Sequence, residues 1–332
     1  MRADRLSHAV ESGALVVPDH GRIAIFGPAA SQDLTIFPQA RVQVITRQRL
    51  DHDTFVAAGY DVRPGVTPGA AMALVCASRA RVATQALVAD AAASLVPGGQ
   101  LVLDGQKTDG IDTLIRAVTA RATVGAPVIK AHGRLVVVAP GTDFGDWRSV
   151  PHIIEGGFVT RPGVFSADAP DPASVLLAEA LPPRLGSRVV DLGAGWGYLS
   201  RAILARDTVQ HLDLVEADGV ALDCARENVT DPRVHFHWAD ALTFKPAAPA
   251  HAVICNPPFH TSRAADPALG AAFIRAAQRM LAAEGTLWLV ANRHLPYDPV
   301  LAGAFREVAD IGGTNAYRLI RASRPHRPVK TN

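Results

Sequence analysis

Short β-branched runs alternate with alanine-rich stretches along the whole of this 332-residue chain, and no other feature restricts its fold as tightly. A run of apolar residues without in-and-out alternation is buried on both faces, and strands joined through a helix pair in parallel. In the first half the strands are read at 22–26 (RIAIF), 42–45 (VQVI), 73–76 (ALVC), 101–103 and 135–138, with a helix over 82–95 closed by Pro97-Gly98-Gly99. In the second half they are read at 188–191, 212–216, 234–237, 252–255, 286–290 and 317–320, with helices over 198–206, 219–229 and 269–283. This is α/β architecture built on parallel sheets. The length suits two domains. The stretch 141–164 has little helical period and reads as a linker plus a short hairpin opening the second domain. The expected division is therefore 1–150 and 151–332. LVPGGQLVLDGQ in the first half echoes LAAEGTLWLVAN in the second, each a helix end, a glycine turn and a strand. Duplication of one α/β unit explains the echo, although any α/β protein repeats that succession.

Composition works by exclusion. Hydrophobic residues make up 48% and charged residues 19%, too apolar for a disordered chain. No apolar run approaches a membrane span. The charged start MRADRLSHAVESG lacks the apolar core of a secretory signal, so a soluble cytoplasmic protein is expected. Cys76, Cys224 and Cys255 stand far apart with no C-x-x-C pair, against a disulfide framework and a cysteine zinc site. The histidines, His8, His132 and His152 among them, form no ligand-spaced cluster, and no metal is expected. With 33 basic and 31 acidic residues, bulk charge does not announce a nucleic-acid partner. The tail is the exception: beyond Asp310 it carries Arg318, Arg321, Arg324, Arg327 and Lys330 and no acid. It reads either as a nucleic-acid arm or as a solvated terminus.

The strongest local signal is VVDLGAGWGYLS, residues 189–200. An apolar strand ends in Asp191; Gly193, Gly195 and Gly197 follow, and a helix opens. Glycines let the backbone turn sharply and lie against a ligand. A dinucleotide fingerprint would be G-x-G-x-x-G; here the spacing is G-x-G-x-G with an acid two residues before it. That acid suits a cationic ammonium better than a pyrophosphate, which points to S-adenosylmethionine and a class I methyltransferase domain. Glu216 ends the next strand, where a carboxylate can accept both ribose hydroxyls, and Asp240 follows the third, where it can accept from an adenine amine. Each acid alone reads as a solvated strand end, but three at successive strand ends lie on the edge where open parallel sheets bind ligands.

The fourth strand ends in Asn256-Pro257-Pro258-Phe259. A nucleobase or amide NH₂ is a poor nucleophile because its lone pair is delocalised. The Asn256 side-chain oxygen and the Pro257 carbonyl can each accept one of its N–H groups, steering the lone pair to the methyl group and stabilising charge on nitrogen. Successive prolines restrict the backbone that holds the carbonyl, and Phe259 offers a face for a flat ring.

VDLGAGWG, NPPFH, VANRHLPY and YRLIRA together resemble the bacterial rRNA guanine-N2 methyltransferases of the RsmC/RlmG type, over about residues 160–322. The loop PGVFSADAPDPASVLLAEAL is similar to that family's lead into its catalytic domain. The resemblance implies two tandem Rossmann-like class I methyltransferase domains, the N-terminal one degenerate. Accordingly Gly27-Pro28 stands where a glycine loop belongs, and Cys76-Ala77-Ser78 where Asn-Pro-Pro-Phe belongs. That domain is expected to dock on RNA or support its neighbour. By resemblance, Asp191, Gly193, Gly195 and Gly197 cradle the methionine part of S-adenosylmethionine, Glu216 its ribose and Asp240 its adenine. Phe165 and Ser166 cover it, Asn256 to Phe259 hold the target base, and His260 and Arg263 contact RNA. The plainer readings are a turn cap for His260 and a solvated helix start for Arg263. Asn292 and Tyr297 read as packing. The implied reaction is methyl transfer to the exocyclic N2 of a guanine in 16S rRNA, by a monomer acting on the 30S subunit.

Three other readings compete: methylation of 23S rRNA, a protein glutamine methyltransferase, whose motif carries Tyr where Phe259 stands, and an RNA-binding protein with a relic pocket. An NAD oxidoreductase is disfavoured by the glycine spacing.

Overall fold

The structure is a computed structural model that describes residues 2–258 and 267–326. The chain divides into two compact units, Met1–Pro151 and His152–Asn332. The first unit runs α1 (Arg2–Glu11), β1 (Arg22–Phe26), β2 (Val42–Ile45), α2 (Arg49–Ala57), β3 (Asp61–Arg63), β4 (Ala70–Cys76), α3 (Arg81–Ser94), β5 (Leu95–Gln106), α4 (Ile111–Thr119), β6 (Val128–Lys130) and β7 (Gly133–Val138). Its seven strands lie in the order β3-β2-β1-β4-β5-β7-β6. Neighbours are parallel from β3 to β5, and β7 runs antiparallel to β5 and β6.

The second unit opens with an antiparallel hairpin, β8 (His152–Ile154) and β9 (Phe158–Thr160). It continues α5 (Pro172–Ala180), β10 (Arg188–Leu192), α6 (Tyr198–Leu204), β11 (His211–Glu216), α7 (Gly219–Asn228), β12 (Val234–Trp238), β13 (Ala250–Cys255), α8 (Pro267–Met280), β14 (Leu281–Asn292), α9 (Asp298–Ala304), β15 (Phe305–Gly313) and β16 (Tyr317–Pro325). The strand order is β12-β11-β10-β13-β14-β16-β15, the topology of the first unit repeated strand for strand. The two sequence echoes fall on β5 and β14, the fifth strand of each unit. Each contains the same irregularity: pairing jumps from Ala70–Leu95 to Met72–Gln100 in one and from Ala250–Leu281 to Ala252–Thr286 in the other.

Burial explains why these strands are continuously apolar. β10 sends Val190 and Leu192 into one core and Val189 into the other, and β13 divides Val253 and Cys255 from Ala252 and Ile254 in the same way. The valine, leucine and isoleucine side chains among them contribute about 1.5–3 kcal/mol each on burial, so a polar residue in these strands requires a reason. In the first unit the buried Arg5 of α1 reaches Asp104 of β5 at 2.5 Å and the Lys130 carbonyl at 2.8 Å, tying the helix to the sheet.

Two of the three arginines in the described part of the tail are paired with acids, while Arg321 is exposed. Arg318 forks onto Asp298 at 2.9 and 3.0 Å, and Arg324 bonds Glu284 and Glu307 at 2.9 Å each. These acids come from elsewhere in the chain and offset two of the charges that a linear count assigns to a basic arm. Arg327 and Lys330 lie outside the described residues. Among the described residues no helix is long and apolar enough to cross a membrane, and no group of three His, Cys, Asp or Glu side chains is placed to hold a metal. All three cysteines are buried.

Candidate active site

Strand order reverses between β11-β10 and β10-β13, and in an open parallel sheet that reversal opens a crevice at the carboxyl edge. Asp191 and Asn256 stand on its two sides, near the end of β10 and just beyond β13. The glycine turn lies between β10 and α6. The Gly193 and Ala194 N–H groups both donate to the Val215 carbonyl, at 2.9 and 3.0 Å, and the Gly195 N–H donates to Glu216 Oε2 at 2.7 Å. Glu216 Oε1 accepts from the Asp218 N–H at 2.8 Å, so this carboxylate braces the turn. Gly193, Gly195 and Gly197 have φ of +76°, +57° and +92°. At Gly197 an added Cβ would come within 2.9 Å of Val229, whereas at Gly195 it would meet nothing within 4 Å. The turn therefore packs on one side and is bare on the other.

Asp191 is fully buried. Ser200 Oγ donates to its Oδ2 at 2.6 Å, while Oδ1 has no partner among the described residues. Burial raises the carboxyl from 3.8 to about 7; the Ser200 bond opposes this, and the nearby charge of Glu216 adds to it. Burial also raises Glu216, against the backbone bonds it accepts from Asp218 and Gly195. An unpartnered oxygen on a buried acid beside a bare turn fits a cationic ligand, because a positive group would supply what the carboxylate lacks. Asp240 sits past the end of β12 at the same edge and accepts from the Leu242 N–H at 2.9 Å.

One pocket gathers Phe165, Ser166, Gly193, Gly195 and Asn256, together with Asp171, Ser174 and Trp196. Asp191, Glu216 and Asp240 lie outside its lining. Phe165 is 57% exposed, and Ser166 has φ of +51°. Their loop is tied down at both ends: Trp196 Nε1 donates to the Phe165 carbonyl at 2.8 Å, and Thr160 Oγ1 to the Ala167 carbonyl at 2.6 Å. The hairpin is tied to the same place. The Phe158 ring packs on Trp196 and Tyr198, with the Arg201 guanidinium 4.1 Å above it. Asn228 Oδ1 accepts from the Val159 N–H at 2.6 Å, and its Nδ2 donates to the Val159 and Trp196 carbonyls at 2.8 Å each. Asn256 Nδ2 donates to Asp171 Oδ2 at 2.8 Å and to Ser174 Oγ at 2.9 Å. Pro257 is buried and Pro258 exposed. Phe259, His260 and Arg263 lie outside the described residues.

Sequence reading missed Asp171, Ser174, Trp196 and Asn228. Only the first pair had a local signal: Asp171-Pro172-x-Ser174 is a helix-start pattern, and Asp171 caps α5 by accepting from the Ser174 N–H at 2.8 Å. Tyr297 is packing, as expected: it is buried against Gly270, where a Cβ would collide with its ring.

This sheet order, with an acid and a glycine turn at its switch point, defines an S-adenosylmethionine-dependent class I methyltransferase. The sequence profile of the methyltransferase small domain matches residues 155–321. The chain belongs to that family. Ribosomal RNA small subunit methyltransferase C of Shewanella baltica is 28% identical over 241 residues, 69% of each chain. Its counterpart from Shewanella loihica is 29% identical over 238 residues, 68% of this chain and 69% of that one. Among solved structures, the T. thermophilus 16S rRNA N2 G1207 methyltransferase, in complex with AdoMet and guanosine, superposes with a TM-score of 0.78 at 25% identity. That likeness covers 93% of this chain and 90% of the other.

Proposed function

We propose that this chain methylates the exocyclic N2 of a guanine in 16S rRNA. The observation that carries the reading is the Asn256 amide, held by its NH₂ group in the pocket that also contains the glycine turn. An amide oxygen is thereby presented beside the place a methyl donor occupies. The names of the Shewanella relatives and of the T. thermophilus enzyme support the substrate.

Asp191 Oδ1 takes the ammonium of the methionine part, and the bare side of the turn at Gly193, Gly195 and Gly197 lies along it. Glu216 keeps a second lone pair on each oxygen for the ribose hydroxyls, and Asp240 accepts from the adenine amine. Phe165 and Ser166 cover the bound molecule. S-adenosylmethionine supplies an electrophilic methyl: the S–CH₃ bond breaks with its electrons left on sulfur, an N–CH₃ bond forms, and the amine proton passes to water. Asn256 and the Pro257 carbonyl accept the two N–H groups of the guanine amine and aim its lone pair. The rigid Pro257-Pro258 backbone holds that carbonyl, Phe259 stacks the base, and His260 and Arg263 contact the RNA. The base leaves its helix or is already unpaired to enter. Binding both reactants in line supplies most of the rate enhancement.

The first unit docks the RNA. By strand pairing, Ile25, Thr46 and Cys76 occupy the places of Asp191, Glu216 and Asn256. Arg47 follows β2 at this edge, and exposed Arg79 and Arg81 follow β4, a basic border suited to phosphate.

The test is transfer of tritiated methyl to 30S subunits, 50S subunits, naked rRNA and a release-factor protein, all from cells lacking the gene. Label in 30S rRNA recovered as N2-methylguanosine supports the proposal. Label only in 50S changes the substrate, label in protein makes this a glutamine methyltransferase, and cofactor binding without label leaves a relic pocket.

A further inference from the structure

We propose that Asp171 and Ser174 are positioning residues for Asn256: they orient its amide so that only an oxygen acceptor faces the target, which restricts the site to nitrogen that carries hydrogen. The inference rests on the reading of Asn256 as the group that holds the target amine.

An amide side chain presents either its oxygen or its NH₂ when turned about its last bond. Here the NH₂ group is occupied on both hydrogens, by Asp171 Oδ2 at 2.8 Å and Ser174 Oγ at 2.9 Å. A carboxylate only accepts, so the turned amide would set its oxygen against the Asp171 carboxylate and lose both bonds. The partners are themselves held. Asp171 is the N-cap of α5, and the oxygen that accepts from Asn256 also accepts from the Ser174 N–H at 2.8 Å. Ser174 lies one turn into that helix and is buried. Asn256, just past β13, is thus registered against a helix start 85 residues earlier in the chain, and all three side chains line one pocket.

Two consequences follow for the chemistry. The oxygen turned away from Asp171 accepts an N–H and opposes a carbonyl, so on a guanine edge it takes the N2 amine and rejects O6. The negative charge behind the amide also polarises it. Charge that develops on nitrogen as the N–CH₃ bond forms, before the proton leaves to water, meets a more negative oxygen.

The test uses the full chain with Asn256→Ala, Ser174→Ala, Asp171→Ser and Asp171→Asn. Ser and Asn both keep the helix cap, and Asn also keeps an acceptor oxygen for Asn256. Asp171→Ser and Ser174→Ala are expected to lower kcat about 10- to 100-fold, the scale of a misplaced catalytic group. Affinity for S-adenosylmethionine should stay within about twofold, and Asp171→Asn should restore most of the rate. Asp171→Ser added to Asn256→Ala should cost nothing further, because its effect passes through a side chain already absent. An additive loss, or a loss of cofactor affinity matching the loss of kcat, overturns the proposal. Asn256→Ala with full turnover refutes instead the role given to Asn256. A second readout needs no RNA: hydrogen exchange at the Asn256 side-chain amide, assigned by NMR from the signal missing in Asn256→Ala. Slow exchange that becomes fast in Asp171→Ser and Ser174→Ala is expected; unchanged exchange overturns the positioning whatever the substrate is.

Discussion

If Asp191 binds the ligand as proposed, it places fold stability and ligand binding in opposition, and Asp191→Asn separates them. In the native chain burial holds this carboxyl at about 7, against 3.8 for the ordinary group. A raised native pKa means that the folded state holds the proton more tightly than the unfolded state. The stability this group contributes is therefore complete below pH 3.8 and is lost as pH rises through 7. Three units at 1.36 kcal/mol each put the full loss at about 4 kcal/mol. Between pH 5 and pH 8 the loss is about 2–3 kcal/mol. The carboxamide keeps an acceptor for Ser200 and never ionises, so it copies the protonated acid at every pH. Urea unfolding read by tryptophan fluorescence reports chiefly the second unit, which holds Trp196, Trp238 and Trp288 of the four tryptophans. The variant is expected to gain about 2–3 kcal/mol on the wild type between pH 5 and pH 8. Calorimetry should show the reverse for S-adenosylmethionine, with affinity reduced about 30- to 100-fold by loss of the ammonium's counter-charge. Wild-type binding at pH 6 should release nearly one proton. A variant equally destabilised at pH 5 and pH 8, or binding at pH 6 without proton release, would refute this account of Asp191.

Gly195→Ala should leave the fold standing, since its Cβ meets nothing and a left-handed alanine costs about 1–2 kcal/mol; cofactor affinity should fall at least tenfold, and unchanged calorimetry would remove the turn from the site. Asn228→Ala breaks three bonds between the hairpin and the glycine turn and should lower unfolding stability by about 2–3 kcal/mol, with a few-fold weaker cofactor affinity; a neutral melt would contradict it. Arg79→Glu with Arg81→Glu should raise KM for RNA and flatten its salt dependence without changing cofactor affinity; an unaltered KM would move RNA docking elsewhere.

The parallel strands were legible because burial on both faces leaves no alternation to misread: β1 and β2 begin and end where their apolar runs do. Boundaries slipped where an element's identity depends on a distant partner. Helix α8 stops at Met280 rather than at 283 because Leu281 already pairs with Ala250. Helix α3 stops at Ser94 because Leu95 pairs with Ala70. Strands β3 and β15 were not read at all. The first is three mostly exposed residues, and the second an edge strand whose residues after Phe305 are almost all exposed, so neither carries an apolar run. The site shows the same division. Asp191, Glu216 and the Asn256 motif announce themselves because each ends a strand that is legible on its own. Asn228, Trp196, Asp171 and Ser174 do not, because what they touch lies 31 to 85 residues away.

The two units then pose a physical question, since they share a topology and differ in what stands at the switch point. The first kept the backbone geometry of the turn: the Gly27 N–H donates to the Ile45 carbonyl at 2.9 Å, as the Gly193 N–H does to Val215. It did not keep what a ligand requires. Pro28 has no N–H for the second bond of the turn, and Ala29 stands where the second unit has Gly195, whose open side an added Cβ would fill. The places of Asp191, Glu216 and Asn256 are taken by Ile25, Thr46 and Cys76, each nearly or wholly buried. A buried acid such as Asp191 weakens the fold by about 4 kcal/mol once ionised, and an isoleucine there strengthens it by about 2. A duplicated unit relieved of binding has every reason to make that exchange. On the proposed reading, Asp191 stays in the second unit against the same pressure because it holds the ammonium of the ligand, and its cost in stability is what that role requires.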